Sequence, residues 1–175
     1  MQYRRIGGEP LNVRPFRFGI NVFNATSRQE WQSKARKAED LGYSSFLVAD
    51  HLWVFPPIVG LMEAAEATTR LRVGSYVFAN DFRHPILLAR EAAAIDLMSN
   101  GRLEFGLGTG YHVGDYQPAG FTFDTPGIRV SRFEEAVQVI KGVWEISHIR
   151  SQESITRLMR SSVFLNLYRP PTHRS

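Results

Sequence analysis

Hydrophobic positions along the chain alternate between short apolar runs and longer segments with helical spacing. Four apolar runs predict β-strands, at residues 16–23, 44–49, 72–79 and 103–107. Runs this short and almost uniformly apolar are typical of strands that are covered on both faces. The pattern therefore predicts a parallel sheet whose faces are covered by the intervening helices.

Helix signals follow each predicted strand. Ser27 and Glu30 form an S-x-x-E capping pattern, in which the serine accepts a hydrogen bond from a first-turn amide. Gly42 fits the left-handed residue that ends this first helix. Residues 56–69 are alanine-rich, and residues 85–98 end at an Asn-Gly pair, so both segments are predicted helices.

The fourth predicted strand is followed by a loop over residues 110–127 and then by a helix. A second S-x-x-E pattern, from Ser131 to Glu134, predicts the start of that helix. The resulting order is βαβαβαβα, about four βα units. Two architectures fit it, an open doubly wound sheet or part of a closed (β/α)₈ barrel, and periodicity does not choose between them.

Charge and composition restrict the classes of function. The net charge of +4 arises entirely from residues 147–175, where five arginines face one acid, so residues 1–146 sum to zero. This distribution argues against nucleic acid as a partner. There is no cysteine, no apolar run near the ~20 residues of a membrane span and no signal-peptide pattern. A cytoplasmic protein with no membrane partner is predicted.

The segment 147–175 has no glycine and does not continue the βα alternation. We predict that residues 1–146 form the domain and that residues 147–175 are an unrelated basic tail, frameshifted or disordered. Sequencing the gene around codon 145 would test this prediction.

Polar and small residues stand at all four predicted strand ends, where parallel α/β folds carry their working residues. They are Asn21 and Asn24, Asp50 and His51, Asn80 and Asp81, and residues 108–112. The sequence therefore predicts a ligand site along one rim of the sheet.

His51 is the strongest candidate for proton transfer, because imidazole titrates near neutral pH. A purely packing histidine is the equally weighted alternative. Asp50 is a candidate for fixing the His51 tautomer, although neighbours on a strand point to opposite faces. The glycines at 106, 108 and 110 permit close approach of a planar ligand, or they serve only a tight turn.

Other polar residues are predicted to be structural. His84 precedes a proline at a helix entry, and a metal site of His51, His84 and His112 lacks a typical ligand spacing, so no metal is predicted. Asp96, Arg102 and Arg129 are expected to lock helix ends and loops.

Several motifs occur in the order and at the sequence separations that are typical of one protein family. They are the RHP run at 83–85, LAREA at 88–92, IDLMSNGR at 95–102 and LEFGLGTG at 103–110. Together with Asp50-His51 and residues 129–143, they resemble the luciferase-like monooxygenase superfamily, in particular its coenzyme F420-dependent branch. The resemblance covers residues 16–145, the N-terminal half of such a protein.

The resemblance implies a partial TIM (β/α)₈ barrel with a deazaflavin or flavin ring across the strand ends. It implies His51 as the catalytic residue. It implies cofactor contacts from the following residues: Asp50, Val77, Ala79, Asn80, Gly108, Thr109 and Gly110. A strand-three bulge, often with a non-prolyl cis peptide, is expected around residues 77–80. Tyr111 and His112 replace the acid that some members carry after the strand-four glycines.

The function implied by the resemblance is an oxidoreductase of the luciferase-like monooxygenase type. It would use coenzyme F420, or FMN as the alternative, for hydride transfer or oxygenation of a small organic substrate. A homodimer is expected, since half a barrel leaves strand edges unpaired. Two alternatives stay open: a truncated, inactive fragment that folds only as an oligomer, and an independent doubly wound binding domain.

Overall fold

The computed structural model describes residues 16–149, with side chains described up to residue 145. Within this range the chain forms six short strands and five α-helices. The strands are β1 (Gly19–Asn21), β2 (Ser45–Val48), β3 (Arg72–Ser75), β4 (Phe78–Ala79), β5 (Leu103–Glu104) and β6 (Leu107–Gly108). The helices are α1 (Arg28–Asp40), α2 (Pro57–Ala67), α3 (Pro85–Met98), α4 (Val113–Ala119) and α5 (Pro126–Ile149).

All strand pairs are parallel, as the pattern predicts. One sheet has the order β1-β2-β3-β5, and β4 pairs with β6 beside it. In the central register, Phe46 of β2 lies between Ile20 of β1 and Val73 of β3. Each new strand adds to the same edge, whereas a doubly wound sheet would reverse direction after its first strands. Within residues 16–149 the strand order is that of a (β/α) barrel.

The hydrophobic core lies between the sheet and the helices. Phe46 and Val73 are fully buried on this side, and Trp31 of α1 is 1% exposed. The Trp31 indole packs edge-on against Phe46 and donates a 2.8 Å hydrogen bond to the Gly60 carbonyl of α2. A Cβ at Gly60 would lie 2.7 Å from the Trp31 ring, so glycine is needed for this close contact.

The third predicted strand is interrupted. It forms β3 and β4, separated by a cis peptide bond between Tyr76 and Val77, at the start of the expected bulge. The fourth predicted strand likewise splits into β5 and β6. Added Cβ atoms at Gly106 and Gly108 would lie 2.9 and 2.7 Å from the Val77 side chain. These two glycines therefore make room for the Val77 side chain.

Two predictions after β6 are wrong. The expected loop over residues 110–127 contains α4, and α5 begins at Pro126 rather than at Ser131. Proline fits the first turn of a helix because its missing N–H has no intrahelical partner there. The S-x-x-E pattern from Ser131 lies inside α5, where its residues are ordinary helix positions.

The predicted locking residues are confirmed. Arg102 donates to the carbonyls of Leu71 and Ala65, which ties the end of α2 to the turn before β5. Asp96 accepts the Leu103 amide, and Arg129 donates to the Gly110 carbonyl at 2.9 Å. These contacts hold backbone groups at element ends and in loops.

The face of the sheet opposite the helices, here called the inner face, is charged at its amino-terminal end. Glu104 accepts hydrogen bonds from Ser45 at 2.6 Å, from Arg72 at 2.9 Å and from Arg17. Burial alone would raise the pKa of Glu104, but these donors outweigh it and lower the pKa below its ordinary value. The apolar sequence pattern of the strands did not predict this charged layer, which consists of Arg17, Arg72 and Glu104.

The end of the domain stays a prediction. Helix α5 runs to Ile149, beyond the expected boundary at 146, and residues 150–175 of the predicted tail lie outside the described residues. No helix within residues 16–149 has the length and hydropathy of a transmembrane span.

Candidate active site

A cavity of about 510 Å³ lies at the carboxyl ends of the parallel strands. Its wall combines exposed aromatic rings, small residues and a few polar groups. The lining residues are Asn21, Phe23, Ala49, Asp50, His51, Tyr76, Val77, Ala79, Phe82, Gly108, Thr109, Gly110, Tyr111, His112, Asp115 and Tyr116.

The fold brings almost all predicted site residues to this one cavity. His51 follows β2 and Thr109 follows β6, and both line it. Of the predicted cofactor contacts, Asn80 alone does not line the cavity. It begins a short 3-10 turn after β4 and is 6% exposed. The cofactor contacts of all these residues stay predictions.

His51 is held by Asp115, a residue that the sequence analysis missed. Nδ1 of His51 lies 2.6 Å from Oδ2 of Asp115, and Oδ1 of Asp115 accepts the Leu52 amide at 3.1 Å. The Asp115 side chain is 3% exposed and that of His51 is 16% exposed. Burial alone would raise the pKa of Asp115, but the hydrogen bonds from His51 and Leu52 lower it below its ordinary value.

Asp50 does not contact the His51 ring, so its predicted tautomer-fixing role is wrong. Its carboxylate pairs with both terminal nitrogens of Arg83 and accepts the Ala79 amide at 3.0 Å. The Asp50 side chain is 6% exposed. Asp50 therefore ties the end of β2 to β4 and to the loop before α3, and its contact with a cofactor stays a prediction.

Aromatic rings form one wall of the cavity. The His51 ring stacks on Trp53 at 5.3 Å, and Trp53 stacks on Phe23 at 6.0 Å. Tyr111 meets His51 edge-on at 5.8 Å. Trp53 and Tyr111 are more than half exposed. Tyr111 lines the cavity and Trp53 lies beside it against His51, so flat apolar surface borders the imidazole.

Gly110 lies in the part of the cavity wall that contacts Tyr116. Its φ is +73°, and an added Cβ would lie 2.0 Å from the Tyr116 hydroxyl. The Tyr116 hydroxyl in turn donates to Asp81 at 2.9 Å, and Asp81 pairs with Arg132 at 3.1 Å. The glycine thus serves a turn and the packing of α4. This contact supports the alternative interpretation of Gly110, in which the glycine serves a tight turn.

Tyr116 makes the stability of the fold depend on pH in the alkaline range. Burial and the Asp81 carboxylate raise the pKa of Tyr116 to about 12, against about 10 in an unfolded chain. Because the folded pKa is the higher one, the stabilisation is complete below about pH 10 and is lost as pH rises through about 12. Urea titrations across this range should show a steeper loss for the wild-type chain than for Tyr116→Phe. Parallel curves would contradict the assignment.

Three side chains of types that can bind a metal ion meet at the cavity. They differ from the set considered in the sequence analysis, which included His84 instead of Asp115. His51, His112 and Asp115 have ligand atoms within 4.8 Å of one another, whereas His84 caps α3 by accepting the Ile86 amide. Two ligands of one tetrahedral zinc ion lie about 3.3 Å apart, given bonds of roughly 2.0–2.1 Å. The 2.6 Å separation of His51 and Asp115 instead fits a shared proton.

The cavity fits the ring of a flavin or deazaflavin. Its wall offers flat aromatic surface, and Oδ1 of Asn21 is buried with no hydrogen-bond partner within the described residues. Such an acceptor suits a ring N–H. Among the described residues that line the cavity there is no lysine or arginine, so this part of the site is suited to the ring rather than to a phosphate.

Comparison with known proteins supplies the family. The model of the family "Luciferase-like monooxygenase" matches residues 16–172. The chain belongs to this family. The match agrees with the parallel βα order, with the cis peptide bond before β4 and with the cavity at the strand ends, and it confirms the resemblance drawn from the motifs.

Among curated relatives of this luciferase-like chain, an F420-dependent glucose-6-phosphate dehydrogenase of Amycolatopsis mediterranei is 27% identical over 139 residues. That alignment covers 74% of this chain and 42% of the dehydrogenase. The oxygenase component of a flavin-dependent trigonelline monooxygenase of Acinetobacter baylyi is 32% identical over 93 residues, covering 51% of this chain and 24% of that protein. The chain thus spans less than half the length of these relatives.

A solved structure supports the same fold. The coenzyme F420-dependent tetrahydromethanopterin reductase of Methanopyrus kandleri matches with a TM-score of 0.57 and 26% identity. The match covers 61% of this chain and 30% of the reductase. The predicted fold class, an α/β chain forming part of a luciferase-like TIM barrel, is confirmed.

Proposed function

We propose that the chain binds the ring of coenzyme F420 in the cavity and belongs to an oxidoreductase that acts on a small organic substrate. One observation carries the proposal. His51, Thr109 and Asn21, whose amide oxygen has no hydrogen-bond partner in the described part of the chain, line a single cavity at the ends of parallel strands. A bound deazaflavin would supply hydride transfer, and a bound flavin would supply redox chemistry with oxygen.

The protein's own residues have separate tasks in this proposal. His51 exchanges a proton with a ligand, because its imidazole lines the cavity and is mostly buried. The amide oxygen of Asn21 orients the ring by accepting a hydrogen bond. Trp53 and Tyr111 cover the imidazole and limit access of water.

The relatives favour F420 over FMN. The dehydrogenase match extends over more of this chain than the flavin-dependent monooxygenase match does. FMN is the second candidate, favoured by the 32% identity to that monooxygenase.

A titration of the purified full chain tests the proposal. Absorbance and fluorescence are followed with F420, with its deazaflavin chromophore lacking the phosphate tail, and with FMN. We expect F420 to bind more tightly than FMN. We expect the tail-less chromophore to bind with similar affinity to F420, because no cationic side chain is among the described lining residues.

Matched variants locate the ring. Asn21→Leu should weaken binding about three- to tenfold, the effect of one lost hydrogen bond. Glu63→Gln, in an exposed pair with Arg28 on the outer helices, should leave affinity unchanged. Tighter binding of FMN would overturn the F420 assignment. Absence of binding by all three probes up to about 1 mM would overturn the proposal, since that limit corresponds to only about −4 kcal/mol.

The oligomeric state is part of the proposal. Within the described residues β1 has a strand neighbour on one side only, and so have β5 and β6. Such edges favour pairing with another copy, and we propose a homodimer. Light scattering coupled to size-exclusion chromatography should give twice the 19.9 kDa chain mass. A monomer would overturn the dimer, and large aggregates would support the alternative of an inactive fragment.

A further inference from the structure

We propose that Asp115 is a positioning residue that fixes His51 in the tautomer protonated at Nδ1, leaving Nε2 as the proton-accepting atom. The role of that atom in catalysis rests on the proposed function, but the tautomer does not. The inference begins from the 2.6 Å contact between His51 Nδ1 and Asp115 Oδ2.

The charge of Asp115 determines which atom carries the proton. Its pKa lies below the ordinary value, so the side chain is a carboxylate at neutral pH and can only accept hydrogen bonds. Nδ1 of His51 must then be the donor. In a neutral imidazole the other ring nitrogen, Nε2, is left with a lone pair.

Asp115 is itself held rigidly. Its side chain is 3% exposed, and its second oxygen accepts the Leu52 amide at 3.1 Å, next to His51 in the chain. Nδ1 of His112 also approaches Oδ2, at 3.3 Å. An oxygen with two lone pairs can accept from both histidines, so the contact with His112 does not release His51.

The stacked rings restrict the imidazole further. Trp53 covers one face of His51, while Tyr111 and His112 meet it edge-on. A ring flip would break the bond to Asp115 within this packing. No hydrogen bond from residues 16–145 engages Nε2. When Nε2 accepts a proton from a ligand, the ring becomes an imidazolium whose other N–H still faces the carboxylate, and the ligand is left as its conjugate base.

Substitution of Asp115 by asparagine should invert the tautomer. The Leu52 amide needs an acceptor, so the carbonyl oxygen of the new carboxamide would take that bond and its NH₂ group would face His51. An NH₂ group can only donate, and Nδ1 would therefore become the acceptor and Nε2 the protonated atom. Asp115→Asn thus changes the position of one proton while keeping nearly the same side-chain volume.

Nitrogen-15 NMR of the full chain labelled at histidine tests this proposal without any cofactor. The chain has five histidines, and the spectrum of His51→Gln assigns the His51 signals. In the neutral form of the ring, which the nitrogen-15 shifts identify directly, wild-type His51 should show a protonated Nδ1 and an unprotonated Nε2. Asp115→Asn should exchange the two shifts, and Glu63→Gln should leave them in place.

The possible results distinguish a failure of the tautomer proposal from a failure of the proposed function. A wild-type His51 protonated at Nε2 overturns the proposal by itself, even if Asp115→Asn fails to fold. An unchanged Nδ1 signal in folded Asp115→Asn overturns the role of Asp115. If no cofactor binds but the shifts behave as expected, the proposed function fails and the positioning role stands. A merely structural role for Asp115 would change stability without exchanging the two shifts.

Discussion

Replacing Asp50 with alanine is expected to lower the free energy of unfolding by about 3–5 kcal/mol, the cost of breaking a buried ion pair from one side. The carboxylate is 6% exposed and holds two partners, the Arg83 guanidinium and the Ala79 amide. Alanine would leave the guanidinium unpaired above the Phe78 ring and the amide without an acceptor. Urea denaturation followed by circular dichroism measures the loss.

Asp124→Ala is the matched control for this effect. Asp124 also pairs with an arginine, Arg132, but it is 27% exposed, and Arg132 keeps its second partner Asp81. An exposed pair of this kind contributes about 1 kcal/mol or less. Equal losses for Asp50→Ala and Asp124→Ala would contradict the view that Asp50 ties β2 to β4.

The second large effect is expected at Gly110. Alanine there meets two costs, a left-handed backbone at φ +73° and a Cβ placed 2.0 Å from the Tyr116 hydroxyl. The backbone cost is about 1–2 kcal/mol, and displacing Tyr116 from Asp81 adds about 1–3 kcal/mol for a buried group left unpaired. Thermal and urea unfolding of Gly110→Ala should therefore show a loss of about 2–5 kcal/mol.

Comparison with Gly120→Ala separates the cost of the left-handed backbone from the cost of displacing Tyr116. The φ of Gly120 is +72°, but no atom of the described residues lies within 4 Å of an added Cβ, so Gly120→Ala carries the backbone cost alone. The Tyr116→Phe background provides a second comparison, because removing the hydroxyl removes the nearest clash. Gly110→Ala should cost less in that background than in the wild-type chain. Equal effects at Gly110 and Gly120 would show that the Tyr116 contact is unimportant.

The parts of the fold that sequence predicts well depend on short-range signals. Ser27 accepts the Glu30 amide and begins α1 as expected, although the Glu30 carboxylate reaches the Thr26 amide instead of that of Ser27. Gly42 ends the helix region with a positive φ of +80°. Such signals act within a few residues, so the local sequence contains the information they need.

The active-site rim was predictable for a topological reason. Carboxyl ends of parallel strands meet at one edge, so His51 and Thr109 had to lie near each other once the strands were parallel. Asn80 follows the third predicted strand as expected, but the chain turns there into a short 3-10 helix, which the sequence pattern did not predict.

Asp115 could not be predicted in the same way. It contacts His51 across 64 residues of sequence, and the helix that carries it contains Pro118, which reads as a helix breaker. Gly120, directly after the helix, was the available signal, because a glycine with positive φ is a common helix end. Its significance depends on the packing of Tyr116 of α4 against Gly110, which no short motif encodes.

The charged layer on the inner face bears on how this chain behaves in water. Arg17, Arg72 and Glu104 place hydrated groups where an ordinary barrel interior would carry branched aliphatic side chains. Water can wet this surface at little cost, so collapse of one inner face onto another gains little from the hydrophobic effect. In the homodimer that we propose, the copies would therefore associate through backbone pairing along the outer strands, and raising the ionic strength should change this association only weakly.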